Sequence, residues 1–255
     1  MQPSIDRRAA LALALAAASS PLLAQTQARK SAAAPAAAPW PTRPVRILVG
    51  FPGGSTPDLV ARTIAEPLSR ALGQPVVVDN KPGAGGNIAA DQVAKATDDH
   101  TIGVMINGNM TIAKLLNPAT PYDPIKDLAP ISLIGSAPLL LTAPANAPGA
   151  NALDFFVAAR NAGNKWSYGT PGIGTVGHIG MELLKTRTNI APVHVPYPGN
   201  PQVINAMISG QIQLALLPPG LAAPQIRAGK LRAIGVTSPG RSPLVPEYPS
   251  LDELG

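Results

Sequence analysis

Residues 45–72 read VRILVGF, PGGSTP and DLVARTIAEPLSRAL, in that order. The first segment (45–51) is a short apolar run of the kind that forms a buried strand. In the third segment (58–72) apolar residues recur every three or four positions, which predicts an amphipathic helix with one buried face. Gly73 is a natural end for this helix, and Pro67 should kink it or end its first segment. The stretch therefore predicts a strand and a helix joined by a glycine-rich loop.

The same alternation of strand and helix continues along the chain. Further strands are predicted at residues 76–78, 101–106, 132–135, 139–143, 165–169, 193–195, 212–217 and 231–236. Helix N-caps are expected at Asn87, Asn151, Thr175 and Asn200. Repeated β-loop-α units predict mostly parallel sheets flanked by helices, which is an α/β fold. With 255 residues, 45% of them hydrophobic, the chain is long enough for two α/β lobes or one large domain.

The composition excludes several classes of site. The chain has no cysteine, so it forms no disulfide, thiolate zinc site or iron–sulfur cluster. Its three histidines lack ligand spacing, and we expect no metal site. Only 4% of residues are aromatic, and although the net charge is +6, the chain has no long run of basic residues. These features favour a solvated basic surface or attraction of an anionic ligand over binding of nucleic acid.

The first 40 residues are typical of an export signal followed by a tether. Residues 1–24 contain Arg7 and Arg8, then an unbroken Ala/Leu run, then a small residue at a cleavage point. This pattern predicts a cleavable signal peptide. Residues 25–40 are rich in Ala and Pro, which predicts a linker. Because no later segment is apolar enough for a membrane helix, we expect no membrane span in the mature chain. Export without cysteine fits a bacterial periplasm.

Three loops are placed where α/β sheets bind their ligands. In such sheets the ligand lies beyond the carboxyl ends of the strands, at the loops that lead into helices. Loops 52–57, 107–111 and 169–175 are rich in Gly, Asn, Ser and Thr. Each would expose backbone N–H groups at a helix N-terminus, and together these would form an anion site without a charged side chain. The alternative is that the glycines only permit tight turns.

No catalytic motif is present in the sequence. Residues 172–177 match G-x-G-x-x-G, but a dinucleotide site also needs an acidic residue about 20 residues further on, and none is present, so no cofactor is expected. Asp58 could act as a base, although its place in the first turn of a helix better fits the helix dipole. His178 could donate to a ligand oxygen or be a half-buried helix residue. We expect no catalytic residue.

Four segments of the chain resemble the signature of one family. The chain carries, in order, FPGGSTPDLVAR (51–62), NKPGAGGN (80–87), YDP with KDLAP (122–130), and GIGTVGH with Glu182 (172–182). This series is similar to the tripartite tricarboxylate transporter substrate-binding proteins, also called Bug proteins after the Bordetella uptake genes. The resemblance runs from about residue 41 to residue 255.

The resemblance implies a type II-like periplasmic binding protein, with two α/β lobes around a ligand cleft. Lobe 1 would span residues 41–140 and lobe 2 residues 141–240. Such receptors capture small carboxylates, often dicarboxylates, by lobe closure, and pass them to the membrane subunits of a tripartite tricarboxylate transporter. We expect a monomer. Carried over by motif, the ligand-binding residues would be Phe51, Gly53, Gly54, Ser55, Thr56, Asn107, Gly108 and Asn109 of lobe 1, with Thr170, Gly174, Thr175 and His178 of lobe 2.

The chain departs from the family pattern in its second half and at its end. Where the family commonly has two acids after Gly-Gln, this chain has Gln213 and Leu217. The second acid often meets a ligand amine or hydroxyl in the family, so we expect a ligand without an ammonium group. The last residues resemble a segment well before the usual C-terminus of the family. Residues 241–255 would then only begin a return toward lobe 1, which we expect to be incomplete and to expose apolar surface.

Three other functions stay open at this point. An orphan periplasmic sensor would present the same ligand to a signalling partner. A periplasmic enzyme would use Asp58 or His178. A truncated paralogue would have no function.

Overall fold

The computed structural model describes residues 40–254, so the predicted signal peptide and nearly all of the predicted linker lie outside the described residues. Residues 43–255 form one compact unit. Its strands are β1 (Val45–Val49), β2 (Val76–Asn80), β3 (Thr101–Val104), β4 (Leu140–Pro144), β5 (Ser167–Thr170), β6 (Val193–Pro196), β7 (Ala215–Leu217) and β8 (Leu231–Val236). Its α-helices are α1 (Thr56–Leu72), α2 (Asn87–Ala94), α3 (Ala113–Leu116), α4 (Ala152–Ala162), α5 (Val176–Thr188), α6 (Asn200–Ile208) and α7 (Pro219–Arg227). None of these helices has both the length and the hydropathy to cross a bilayer.

The first sheet has the strand order β2-β1-β3, and its strands run parallel. The central strand β1 is apolar because helices cover the sheet, and both α1 and α2 contact it. Ile47 and Val49 are fully buried with Ala61 of α1. This packing fixes the carboxyl end of β1, from which the loop 52–55 leads into α1.

The second half of the chain forms a mixed sheet. Strand β4 pairs antiparallel with β7 and β8, and β5 pairs parallel with β6. A parallel bridge from Tyr168 to Leu214 joins the two groups, so the order is β6-β5-β7-β4-β8. Four of these five strands share one direction and β4 runs against them. The expected parallel pairing is therefore present between β6, β5 and β7, whereas β4 pairs antiparallel with both of its neighbours. Two apolar clusters, one around Val203 and Met207 and one around Phe155 and Met181, pack against this sheet.

A strand, the course of α1 and an N-cap differ from the sequence-based expectation. Gly199, and not Asn200, takes the N-cap position of α6, because Asn200 is already the first residue of that helix. Residues 132–135 form no strand, because no neighbouring strand supplies a ladder for them. Pro67 does not end α1, which continues to Leu72. The carbonyl group that Pro67 leaves without a donor belongs to Thr63, which is exposed, so water can replace the lost hydrogen bond.

Candidate functional site

The glycine-rich loops of the two halves approach each other closely. A Cβ atom on Gly108 would lie 2.7 Å from the carbonyl oxygen of Gly174, and one on Gly85 would lie 2.8 Å from that of Ile173. A Cβ atom on Gly199 would lie 2.8 Å from Cδ of Pro52. Backbone from residues 52–108 therefore meets backbone from residues 172–199 at positions where a side chain does not fit.

A cleft of about 530 Å³ lies where these loops meet. Its lining is mostly backbone of glycine-rich loops together with apolar side chains. The lining residues are Gly83, Ala84, Gly85, Asn87, Gly108, Ala113, Leu116, Asn117, Pro171, Gly172, Ile173, Gly174, Pro196, Tyr197 and Pro198. None of these described residues carries a charged side chain. An anion in the cleft would therefore meet backbone N–H groups and amide side chains rather than a Lys or Arg.

Two of the predicted binding residues, Gly108 and Gly174, line this cleft. Gly108 begins a π-helical turn (Gly108–Ile112) that follows β3. Gly174 has a positive φ of 80°, a conformation that favours glycine. Asn107 precedes the turn with an exposed side chain, and its carbonyl oxygen accepts from Thr111 Oγ1 (2.8 Å).

The loop after β1 is organised around the carboxylate of Asp58. This carboxylate is buried in the first turn of α1 and accepts from the backbone N–H of Gly54 (2.9 Å), from Asn80 Nδ2 (2.9 Å) and from Arg62 Nε (3.0 Å). Burial raises the pKa of Asp58, but the hydrogen bonds from Arg62, Gly54 and Asn80 outweigh it and hold the pKa below its usual value. Asp58 is thus an ionised structural anchor of the loop, a role beyond the helix-dipole interpretation of its first-turn position.

The other predicted residues of this loop surround that anchor. Phe51 is buried in the core of the first sheet, and Gly53 lies next to the Asp58 carboxylate. Thr56 is the first residue of α1, and Ser55 is its N-cap. The buried hydroxyl of Ser55 has no hydrogen-bond partner among the described residues. Oδ1 of Asn200, in the facing half at the start of α6, is also buried without a partner within residues 40–254.

The buried Asn109 and the cleft-lining Asn87 form a polar cluster at the cleft. Nδ2 of Asn109 donates to Oδ1 of Asn87 (2.8 Å) and to the carbonyl oxygen of Gly85 (3.0 Å), while its Oδ1 accepts from the N–H of Ile106 (3.3 Å). The amide of Asn109 is thus fully occupied in holding two loops together. Asn87 was expected to cap α2, but Gly86 takes that position. The side chain of Asn87 instead contacts Asn109 and Tyr122.

Replacing Tyr122 with Phe should lower the free energy of unfolding by about 1 kcal/mol. The buried Tyr122 hydroxyl lies 2.9 Å from both Oδ1 of Asn87 and the carbonyl oxygen of Asn109. Phe has no hydroxyl, so these two acceptors lose this donor. Thermal unfolding should show a decrease of about 2–4 °C. Tyr248→Phe is the control, since the half-buried hydroxyl of Tyr248 makes no hydrogen bond within the described chain. An equal decrease in both variants would contradict this role for Tyr122.

The third loop, between β5 and α5, is held by side chains of its own half. Thr175 is the N-cap of α5 by position, but its hydroxyl donates to the carbonyl oxygen of Gly172 (2.7 Å) instead of to the helix. Thr170 Oγ1 accepts from the N–H of Gly172 (3.3 Å) and lies 2.7 Å from Nε2 of His194. His178 Nδ1 accepts from the N–H of Gly174 (3.3 Å). These side chains hold the loop backbone and lie behind it.

Several residues of the cleft were not among the predicted ones. Gly83, Gly85 and Asn87 belong to segment 80–87, which carries part of the family resemblance and whose glycine content is a usable signal for a binding loop. Leu116 and Tyr197 carry no sequence signal for a site. Leu217 stands at one of the two positions where the family commonly has an acid. It is buried in the apolar cluster around Val203 and does not line the cleft.

Gln213 also has a structural role. Its Oε1 accepts from the N–H of Ser167 (2.8 Å), and its Nε2 donates to the carbonyl oxygen of Gly210 (3.1 Å).

Within the part of the chain that the structure describes, no group of three or more His, Asp or Glu residues is placed to hold a metal ion.

Comparison with known proteins gives consistent matches. Residues 60–255 match the profile of the family described as "Tripartite tricarboxylate transporter family receptor". A protein from Pseudomonas sp. (strain P51), described as the UPF0065 protein in the tcbD-tcbE intergenic region, is 35% identical over 215 residues, which are 84% of this chain. The chain spans 64% of the length of that relative.

Two solved structures from Rhodopseudomonas palustris are similar in fold. MatC (Rpa3494) with bound malate is 32% identical, with a TM-score of 0.80 over 85% of this chain and 74% of that one. Rpa4515 with adipate is 34% identical, with a TM-score of 0.82 over 85% of this chain and 73% of that one. These matches confirm the α/β fold class that was predicted from the sequence.

Proposed function

Since the chain belongs to the family of tripartite tricarboxylate transporter receptors, we propose that it is a periplasmic receptor that captures a small carboxylate. The ligand binds between two lobes, residues 41–140 and 141–240, which close around it. The closed receptor then delivers the ligand to the membrane subunits of a tripartite tricarboxylate transporter. The protein acts as a monomer and binds its ligand without turnover.

The observation that carries this proposal is the convergence of glycine-rich loops on one cleft without a charged side chain in its lining. Backbone N–H groups of such loops bind an anion well, and the positive end of α5, which follows the cleft-lining Gly174, reinforces them. The buried, unpartnered Ser55 Oγ and Asn200 Oδ1 come from the two facing halves. They supply further polar groups that a ligand between the lobes can satisfy.

The ligand we propose is a dicarboxylate or a related organic acid without an ammonium group. Malate and adipate, which are bound in the two solved relatives, are both dicarboxylates. No acidic side chain lines the described cleft, so nothing there compensates an ammonium charge. Ala113, Leu116 and Ile173 provide an apolar surface for the carbon chain between the two carboxylates.

A thermal-shift screen of the chain with malate, adipate and aspartate tests this proposal. Malate and aspartate differ by a hydroxyl against an ammonium group, so the pair isolates the charge argument. A ligand at 100 times its Kd adds about 2.7 kcal/mol to stability, which raises Tm by about 5–10 °C for a chain of this size. We expect a shift with a dicarboxylate and none with aspartate.

Each other result of the screen has a definite meaning. A shift with aspartate alone would agree with a solute receptor but would contradict the proposed preference for ligands without an ammonium group. If the chain unfolds cooperatively and no carboxylate raises its Tm, the proposal that it is a carboxylate receptor is contradicted.

A further inference from the structure

Two imidazole rings lie stacked behind the loop between β5 and α5. His178 is in the first turn of α5 and His194 is on β6, and their ring centroids are 4.4 Å apart with the planes tilted by 32°. Tyr168 of β5 stacks on the other side of His194, with a centroid distance of 4.9 Å. The function proposed above uses none of these rings for ligand contact.

Each imidazole holds one part of the loop backbone. Nδ1 of His178 accepts from the N–H of Gly174. Nε2 of His194 lies 2.7 Å from Oγ1 of Thr170, and this oxygen accepts from the N–H of Gly172. Gly172 and Gly174 both line the cleft. The orientation of the cleft-lining backbone therefore depends on the two rings.

We propose that His178 is a positioning residue whose neutral imidazole keeps the Gly172–Gly174 backbone in its ligand-binding conformation, so that acidification weakens ligand capture. The part of this inference that concerns the ligand rests on the proposed function, whereas the part that concerns the loop does not. The reason is geometric, because Nδ1 can accept the Gly174 N–H only while it carries no proton. Protonation turns Nδ1 into a donor that faces another donor.

The surroundings of the pair favour the neutral form. Burial lowers the pKa of both His178 and His194, and a charge on His178 lowers the pKa of His194 further. Lys185 of α5 lowers both pKa values further, whereas Glu182 of the same helix opposes this effect. The Glu182 carboxylate is already paired with Lys185 Nζ (2.9 and 3.0 Å) and accepts from the Tyr168 hydroxyl.

The direction of the pH effect follows from these shifts. Both folded-state pKa values lie below the ordinary 6.5, so the rings are neutral at pH 7 and the loop is held. As the pH falls below 6.5 and through the lowered pKa, the unfolded chain takes up protons first, so stability declines. Once His178 itself is protonated, its bond to Gly174 is lost.

The His178→Asn variant separates positioning from titration. The Oδ1 of Asn takes roughly the place of Nδ1 and accepts the same N–H, but it does not titrate. The first measurement is the hydrogen-exchange protection of the Gly174 amide, relative to its intrinsic rate, in the ligand-free full chain at about pH 7.5 and about pH 5.5. We expect protection to fall at the lower pH in the wild type, by less than the roughly tenfold that an imidazole of ordinary pKa would give there, and to stay constant in H178N. His194→Gln, which keeps a partner for Thr170, should retain the pH effect, because the titrating group is His178.

The second measurement is the Kd for malate at the same two pH values. The wild type should lose more affinity than H178N, by the factor by which its Gly174 protection falls, and the comparison with H178N also corrects for protonation of malate. The same pH dependence in both proteins, or tighter malate binding at about pH 5.5 in the wild type alone, would overturn the inference. If malate binds neither protein while Gly174 protection behaves as expected, the carboxylate ligand is wrong and the positioning role stands.

Discussion

A Gly108→Ala variant should fold normally and bind its carboxylate about 10- to 100-fold more weakly than the wild type. Gly108 lies in a right-handed helical turn, so alanine introduces no backbone strain there. The added Cβ would lie 2.7 Å from the carbonyl oxygen of Gly174, in the facing half of the molecule. Only a movement of the two halves apart relieves this overlap. The cost of about 1–3 kcal/mol for overpacking then opposes the closed, ligand-bound state.

Calorimetric titration with the dicarboxylate that gives the largest thermal shift measures this effect. Gly220→Ala is the matched control, because Gly220 is also helical and a Cβ there meets no atom within 4 Å. This control should bind like the wild type and be slightly more stable, since alanine favours a helix by about 0.5–1 kcal/mol over glycine. Wild-type affinity in G108A would show that the ligand does not need the closed approach of the two loops.

An Asp58→Ala variant should lose about 3 kcal/mol of stability. The Asp58 carboxylate accepts from the N–H of Gly54 and from Nδ2 of Asn80, in addition to its contact with Arg62. Its removal leaves the Gly54 N–H and the Asn80 amide without their acceptor at the loop that precedes α1. Because Arg62 is half exposed, its guanidinium finds water, and the loss comes mainly from the two other donors. Tm should fall by about 6–12 °C.

The Asp154→Ala variant is the control for the helix-dipole contribution. Asp154 occupies the same first-turn position in α4 as Asp58 does in α1, but its side chain is exposed. Its loss should change stability by about 0.3–1 kcal/mol, the usual contribution of an exposed acid to the helix dipole. Similar losses in the two variants would mean that Asp58 acts through the dipole alone and does not anchor the loop.

The sequence predicted the parts of the fold that depend on local pattern. Strand β1, the loop after it and helix α1 follow from apolar periodicity and from glycine and proline positions between residues 45 and 73. Asn151 was predicted to cap α4, and its side chain accepts the N–H of Asp154 (2.9 Å). The antiparallel direction of β4 could not be predicted in this way, because the direction of a strand depends on its neighbours.

The site was predictable to the level of loops but not of contacts. Composition identifies the loops that contain Gly108 and Gly174, the family resemblance names the two residues, and both line the cleft. Gly85 was not chosen, since its importance lies in an approach to Ile173, which is 88 positions away in the sequence. Asn109 was proposed as a ligand contact, but its amide is occupied by three hydrogen bonds within its own half. Such occupancy depends on which donors and acceptors the fold brings together.

A crystal structure of the chain with the dicarboxylate that shifts its melting most would test the central claim most directly. The account predicts a carboxylate in the cleft, at about 3 Å from backbone N–H groups of the loops that contain Gly108 and Gly172–Gly174, with no Lys or Arg side chain in contact. The N–H groups of Gly172 and Gly174 themselves should stay bound to Thr170 and His178. A carboxylate bound outside this cleft, or one held there by a lysine or arginine side chain, would contradict it.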